Sequence, residues 1–166
     1  MASFTPLDKF TDARGWSLND IYRQATTNIK KRQIEARSNY SENVYKLDDL
    51  QINYSILHPG VIKAWHRHEN QDDYFCVVHG MAQVGVYDEV AAAAGADGAQ
   101  KFFIGEHNPG VIHIEAGEWH GLTAVGTKPV GLLYLVTNIY NPHLPDEERA
   151  PHDSFVGHDW WLPENQ

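Results

Sequence analysis

Short apolar runs, separated by glycine, proline, asparagine and aspartate, dominate the chain from residue 44 onward. Runs of this length that are bounded by turn residues are typical of β-strands. The breaks between them include His-Pro-Gly at 58–60 and Asn-Pro-Gly at 108–110. The predicted strands cover residues 50–57, 61–66, 74–79, 82–87, 101–104, 111–114, 121–125 and 130–137. Many short strands with close turns predict an all-β antiparallel sandwich or barrel.

The segments outside these predicted strands have other patterns. Apolar residues fall near helical spacing over residues 20–35, which predicts a helix. Residues 90–100 are rich in alanine and glycine and lie between two predicted strands, so we expect a surface loop there. From Asn141 the chain becomes rich in proline and charge, which predicts an irregular tail that lies across the barrel, pinned by Trp160 and Trp161.

The chain length bounds the domain organisation. With 166 residues, a single domain is the expectation. The pattern divides it into an N-terminal arm (1–43), a barrel (44–140) and a tail (141–166). Hydrophobic residues make up 42% and charged residues 21%, an ordinary globular mixture that excludes a disordered or collagen-like chain.

Charge and cysteine content narrow the choice of partners and location. Lysine and arginine number 13 against 22 aspartates and glutamates, a formal charge of -9, so nucleic acid is not an expected partner. No stretch approaches the roughly 20 apolar residues of a membrane-spanning helix, and the start lacks a signal-peptide pattern, so no membrane partner is expected. Cys76 is the only cysteine. A reducing, cytoplasmic location is therefore predicted.

The most informative group of candidate functional residues begins in residues 60–80, which read G-x5-H-x-H-x4-D-x6-G. His66 and His68 are two apart on a predicted strand, so both imidazoles can point to the same face. Asp73 can return toward them from the neighbouring strand, and His120 can add a third imidazole. Three nitrogens and one oxygen suit Zn, Fe, Mn or Ni. Each residue also has a structural alternative, as a hydrogen-bonded polar side chain at a barrel mouth.

This spacing resembles the first consensus motif of the cupins, with Asp73 in place of the usual glutamate. Residues 110–120 resemble the second motif more loosely, because Glu115 replaces its proline. Gly80 and Gly117 stand at the turn positions of the two motifs. The resemblance implies a cupin-type antiparallel β-sandwich or barrel, a jelly roll, in a single domain with an irregular C-terminal tail.

A more particular set of motifs extends over nearly the whole chain. Residues 10–15 read F-x-D-x-R-G, and residues 60–66 read GVIKAWH. Residues 117–121 read G-x-x-H-G, and Tyr134 and Tyr140 stand six apart in LLYLVTNIYNP. These motifs resemble those of the dTDP-4-dehydrorhamnose 3,5-epimerase family, a cupin-fold group that acts on nucleotide-linked 4-keto sugars.

The resemblance implies an isomerase that moves protons at carbons next to a ketone, with no cofactor required. His66 is the implied base and Tyr134 the implied acid on the opposite face of the sugar. An imidazole with an unperturbed pKa of about 6.5 suits proton removal at neutral pH. The Arg14 segment commonly reaches a neighbouring subunit in the family, so a homodimer is implied. The implied substrate-binding residues are Arg14, Lys63, Trp65, Gln71, His120 and Tyr140, with Trp65 or Tyr140 stacking on a ring.

Departures from the family pattern leave two alternatives open. Asp73 stands where the family has a lysine facing the enolate, and a carboxylate there repels an enolate unless a cation intervenes. The first alternative is a metal-dependent cupin enzyme with His66, His68, Asp73 and His120 around a divalent ion. The second is a non-catalytic sugar-binding cupin, because no Ser-x-Lys-Asp segment precedes Gln166 to supply the partner of the catalytic histidine.

Overall fold

The structure, a computed structural model, describes residues 1–7, 9–12, 15–18 and 50–162. The helix predicted for residues 20–35 and the predicted substrate residue Arg14 lie outside the described residues. None of the helices in the described ranges is long and apolar enough to cross a membrane.

Strands make up most of the described chain. They are β1 (Ser3–Pro6), β2 (Lys9–Asp12), β3 (Gly15–Leu18), β4 (Gln51–Leu57), β5 (Ile62–Arg67), β6 (Asp73–His79), β7 (Met81–Tyr87), β8 (Ala99–Gly105), β9 (Gly110–Ile114), β10 (Trp119–Val125), β11 (Val130–Val136) and β12 (Glu148–Arg149), with a short helix α1 (Glu89–Ala93). Every predicted strand is confirmed, with ends that move by one or two residues.

The strands pair into two five-stranded antiparallel sheets and a hairpin. The first sheet has the order β1-β9-β6-β11-β4, the second has the order β12-β5-β10-β7-β8, and β2 pairs with β3. Apart from β7 and β8, neighbours within the two five-stranded sheets are not consecutive in the chain, which is the pattern of a sandwich with crossing connections. The predicted all-β antiparallel sandwich is therefore confirmed.

The main hydrophobic core lies between the two sheets. Successive strand residues point to opposite faces, so alternate positions of each strand enter this core. Phe75 and Leu132 enter it from the first sheet, and Val84 and Leu122 from the second. At most 3% of each of these side chains is exposed, so the core fixes the spacing of the sheets.

The prediction of a surface loop over residues 90–100 is partly wrong. The helix α1 occupies the first part of that segment, and β8 begins at Ala99. Asp88 caps the helix, because its Oδ1 accepts hydrogen bonds from the backbone N–H groups of Val90 and Ala91, each at 2.9 Å. The alanine run then supplies good helix-forming residues, and Gly95 with φ of 83° lies beyond the helix end.

Residues 152–161 of the C-terminal tail lie on the outer face of the second sheet, as the sequence predicts. Gln83 of β7 holds it, because Nε2 donates to the Asp159 carbonyl at 2.7 Å and Oε1 accepts from the Trp161 N–H at 2.5 Å. Gly85 provides the space: a Cβ there would lie 2.4 Å from the ring of His158 and 2.8 Å from that of Trp160.

Candidate active site

A β-bulge directs two side chains of β5 into one cavity. Lys63 and His66 are three residues apart, yet both line it. Along β10, His120 pairs with His66 while Leu122 pairs with Lys63, so β5 carries one residue more than its partner over this stretch. Gly121 permits the close approach, because a Cβ there would lie 2.7 Å from the carbonyl oxygen of Lys63.

The structure brings together the four side chains whose spacing resembles a cupin motif. One ligand atom from each of His66, His68, Asp73 and His120 lies within 4.8 Å of the others. The rings of His66 and His120 are closest, with centroids 4.2 Å apart, and His68 lies 5.5 Å from His66. Asp73 and His120 are almost fully buried, at 3% and 2% exposure, so the inner half of this cluster is shielded from bulk water.

Backbone carbonyls fix the tautomers of two of the histidines. Nδ1 of His120 lies 3.0 Å from the Glu118 carbonyl oxygen, and Nδ1 of His68 contacts that of Asp146. A carbonyl can only accept, so each Nδ1 carries the proton. The Nε2 atoms of His120 and His68 then face Oδ2 of Asp73 at 2.9 and 3.7 Å.

This arrangement calls for a positive charge between the imidazoles and the carboxylate. In a neutral Nδ1–H imidazole, Nε2 bears a lone pair, which an aspartate oxygen repels. Either a proton between Nε2 of His120 and Oδ2 of Asp73 or a divalent cation removes this repulsion. Protein histidines that bind metals commonly donate their other N–H to a carbonyl, as both do here. His66, His68, Asp73 and His120 therefore fit a divalent cation such as Zn²⁺.

The environment of His66 keeps its imidazole neutral. Burial is the main cause that lowers the pKa of His66 far below its ordinary value. The neighbouring His120 and His68, followed by the cations Lys63 and Arg149, lower this pKa further. A neutral imidazole can accept a proton or bind a metal, and it can do only one of these at a time.

Tyr134 faces the cavity from β11 in the opposite sheet. Its ring packs edge-on against Phe75, with centroids 5.9 Å apart, and Nζ of Lys63 lies 6.0 Å from its centre. Burial raises the pKa of Tyr134, and the negative charges of Asp73 and Glu147 raise it further. The phenol therefore keeps its proton at neutral pH and is available to donate it.

His66 and Tyr134 line the same cavity, whose volume is about 710 Å³. Pockets of this size hold small molecules of the size of drugs or cofactors. Its walls combine apolar side chains, including Phe75, Leu122 and Leu132, with polar ones. An apolar wall with a few polar groups pointing inward is typical of a site that orients a bound ligand.

Three of the predicted substrate-binding residues line this cavity: Lys63, Gln71 and Tyr140. Nε2 of Gln71 donates to Oδ1 of Asp73 at 2.7 Å, so the amide supports the carboxylate as well as facing the cavity. Tyr140 is 64% exposed, which leaves its ring free to cover a ligand at the cavity mouth.

The expected stacking of Trp65 on a substrate ring is wrong. Trp65 precedes His66 on β5 and points to the other face of the sheet, where it is 1% exposed. There it packs against Phe155 and Trp160 of the tail, at 5.3 and 4.8 Å between ring centroids. Its Nε1 donates to the His152 carbonyl at 2.9 Å, which completes its contacts without a ligand.

The expected contact of His120 with the substrate is also corrected. His120 is 2% exposed and is absent from the cavity lining within the described chain. It lies behind His66 and holds Asp73 through Nε2. Burial by the surrounding core strands explains the difference, because β10 is a central strand of its sheet.

Sequence reasoning missed the contribution of the segment that follows β11. Asp146, Glu147 and Arg149 all line the cavity. Arg149 pairs with His66 across β12 and β5, a contact between residues 83 positions apart in sequence (149 − 66). The proline-rich composition of this segment indicates an irregular chain and carries no signal for such pairing.

An antiparallel sandwich with a histidine and carboxylate cluster at a cavity between its sheets defines a cupin-type protein. Residues 33–148 match the family described as polysaccharide biosynthesis C-terminal domain. The chain belongs to that family.

Similar proteins agree with this membership. The chain is 41% identical over 129 residues to the probable low-salt glycan biosynthesis epimerase Agl13 of Haloferax volcanii, covering 77% of this chain and 81% of that protein. A dTDP-4-dehydrorhamnose 3,5-epimerase structure from Bacillus anthracis superposes with a TM-score of 0.73 at 15% identity, covering 98% and 86% of the two chains. A dTDP sugar isomerase from Desulfovibrio desulfuricans gives 0.69 at 21%, covering 96% and 90%. The predicted cupin-type fold is confirmed, and the name of the 41% identical relative agrees with the predicted epimerase class.

Proposed function

We propose that the protein is an isomerase that epimerises a 4-keto sugar carried on a nucleotide, with His66 as base and Tyr134 as acid. The observation that carries the proposal is that both side chains line one cavity from opposite sheets. The name of the 41% identical relative, a glycan biosynthesis epimerase, supports the reaction class. The substrates in the names of the two structural relatives, dTDP sugars, support the substrate class.

The chemistry requires a base and an acid on opposite faces of the sugar ring. A proton next to a ketone is acidic because the resulting carbanion delocalises onto the carbonyl oxygen. The neutral His66 accepts this proton, as a base that its burial makes weaker than a free imidazole, and Tyr134, which keeps its own proton, returns one to the other face. The ammonium group of Lys63, 6.0 Å from the centre of the Tyr134 ring, supplies positive charge near the developing enolate.

Cations near His66 suit the diphosphate of a nucleotide sugar. Lys63 and Arg149 both line the cavity, and both act electrostatically on His66. Gln71 and Tyr140 remain candidates for contacts with the sugar or base. The homodimer, with Arg14 reaching a partner subunit, and the cytoplasmic location stay predictions, as does the absence of nucleic-acid and membrane partners.

Hydrogen exchange at the carbons flanking the ketone tests the proposal. The protein is incubated with 4-keto nucleotide sugars in heavy water, and deuterium incorporation is followed by NMR and mass spectrometry. We expect incorporation and inversion with the native protein and their loss in His66→Asn. Binding of nucleotide sugars without any exchange would contradict the proposal and favour the non-catalytic sugar-binding alternative.

A divalent cation held by His66, His68, Asp73 and His120 is the second candidate for how this site works. The two Nδ1–H tautomers, which leave both Nε2 atoms facing Asp73, favour it. Such a cation supplies Lewis-acid polarisation of a carbonyl oxygen. His66 is then a ligand, and the acid–base work falls to Tyr134 and Lys63, which lie outside the cluster.

Elemental analysis separates the two candidates. Protein purified without an affinity tag is analysed for Zn, Fe, Mn and Ni, next to His68→Ala and the control His79→Ala, whose imidazole is exposed and distant from the cluster. Near-stoichiometric metal that is lost in His68→Ala alone supports the second candidate. Activity that survives complete removal of metal by a chelator supports the first.

A further inference from the structure

Residues 144–150 of the tail, here called the strap, run from the cavity along the edge of the second sheet. Glu148 and Arg149 pair with Arg67 and His66 as an added strand at the edge of the second sheet. One residue further, Ala150 exchanges two backbone hydrogen bonds with Trp65, at 2.9 and 3.0 Å. The strap is therefore bound along the strand that carries His66, and it forms one wall of the cavity.

Asp146 contacts residues 68–70 through both its backbone carbonyl and its side-chain carboxylate. Its carbonyl oxygen accepts from Nδ1 of His68. Its carboxylate oxygens accept from the backbone N–H groups of Glu69 and Asn70, at 2.9 and 2.8 Å.

The geometry points to Asp146 as the positioning residue of His68: its carboxylate anchors residues 69–70 so that its carbonyl holds the His68 proton on Nδ1. The consequence is that Nε2 of His68 faces Asp73, at 3.7 Å from Oδ2. This inference rests on the proposed site and concerns a residue that does not itself contact the reacting atoms. Neither the family motifs nor the strand pattern indicates it, because residues 68 and 146 are distant in sequence.

Without such an anchor, the imidazole of His68 would be able to adopt its other neutral tautomer. Free histidine favours the Nε2–H tautomer, and in that form Nε2 donates to Asp73 and cannot bind a cation. Partners that hold the far nitrogen of a histidine typically change metal affinity by about 10- to 100-fold when they are removed. Removal of the Asp146 carboxylate should therefore change the tautomer of His68 while the fold is retained.

NMR of ¹⁵N-histidine-labelled protein reads the tautomer directly, without substrate. In the native protein we expect the His68 ring to show the Nδ1–H form. In Asp146→Ala we expect a shift toward Nε2–H, and in Asp146→Asn, which keeps one acceptor oxygen, partial retention of the native form. Asp97→Ala is the matched control, because Asp97 also accepts a backbone N–H through its carboxylate, at 3.0 Å, away from the cavity.

Titration of metal-free protein with Zn²⁺ gives a second readout. Asp146→Ala should bind about 10- to 100-fold more weakly than the native protein, Asp146→Asn less so, and Asp97→Ala unchanged. An unchanged His68 tautomer in Asp146→Ala overturns the inference, as does an Nε2–H form in the native protein. Inactivity toward nucleotide sugars would overturn the proposed function alone, since neither readout uses a sugar. If Asp146→Ala does not fold, the comparison of Asp146→Asn with the native protein decides.

Discussion

Nε2 of His120 lies 2.9 Å from Oδ2 of Asp73, in the buried layer behind His66. A proton or a cation held between these two atoms would offset the negative charge of Asp73 next to the site where an enolate is proposed to form. The sequence presents Asp73 as a conflict with such chemistry. The structure places the imidazole of His120 against that carboxylate, away from the cavity lining of the described chain.

Asp73→Asn should move the alkaline limb of the activity profile to lower pH. The negative charge of Asp73 raises the pKa of Tyr134, so its removal makes the phenol ionise more easily and lose its role as acid earlier. The measurement is kcat/KM against pH. Glu147→Gln should shift the limb in the same direction by less, because Glu147 is the weaker of the two charges acting on Tyr134.

The same variant distinguishes the two candidates for the site. Loss of activity at all pH values, together with loss of bound metal, indicates that Asp73 is a cation ligand. A limb that stays in place while activity persists contradicts the assignment of Tyr134 as the acid.

Tyr134→Phe should separate proton removal from inversion. The ring still packs against Phe75, so the midpoint of urea unfolding should change little. Loss of the phenolic proton should lower inversion by about 10²- to 10⁴-fold. His66 still removes the substrate proton and returns it to the same face, so deuterium should enter the starting sugar faster than product forms. Equal loss of exchange and inversion would instead assign Tyr134 to binding.

The strands could be predicted because each depends on a local pattern of apolar residues and turns. The composition of the candidate site depends instead on tertiary packing, which no local pattern records. Trp65 and His66 are adjacent, and only the sheet assembly determines that one faces the tail and the other the cavity. Asp146 and Arg149 enter the site through pairing with β5, which a proline-rich segment does not signal. The motif spacing did predict that His66 and His68 converge, although His68 lies one residue beyond β5 and is held there by the carbonyl of Asp146.

His158 should make the fold less stable as the pH falls. Its burial, followed by the positive charge of Lys101, lowers its pKa to about 4 from 6.5. The folded state therefore binds fewer protons than the unfolded state between these values, so stability is fully present above pH 6.5 and is lost toward pH 4. Melting temperatures of His158→Gln and native protein from pH 7.5 to 4.5 should converge at low pH. Parallel curves would mean that His158 titrates normally.

Gly85→Ala should displace the tail from the second sheet. The added Cβ would lie 2.4 Å from the ring of His158 and 2.8 Å from that of Trp160, closer than packed atoms approach. Overpacking of this kind typically costs about 1–3 kcal/mol in the free energy of unfolding, measured in urea by tryptophan fluorescence. His158→Ala removes the nearer ring, so the double variant should lose less stability than the sum of the single variants. Strict additivity would show that the cost of the added Cβ does not arise from contact with the ring of His158.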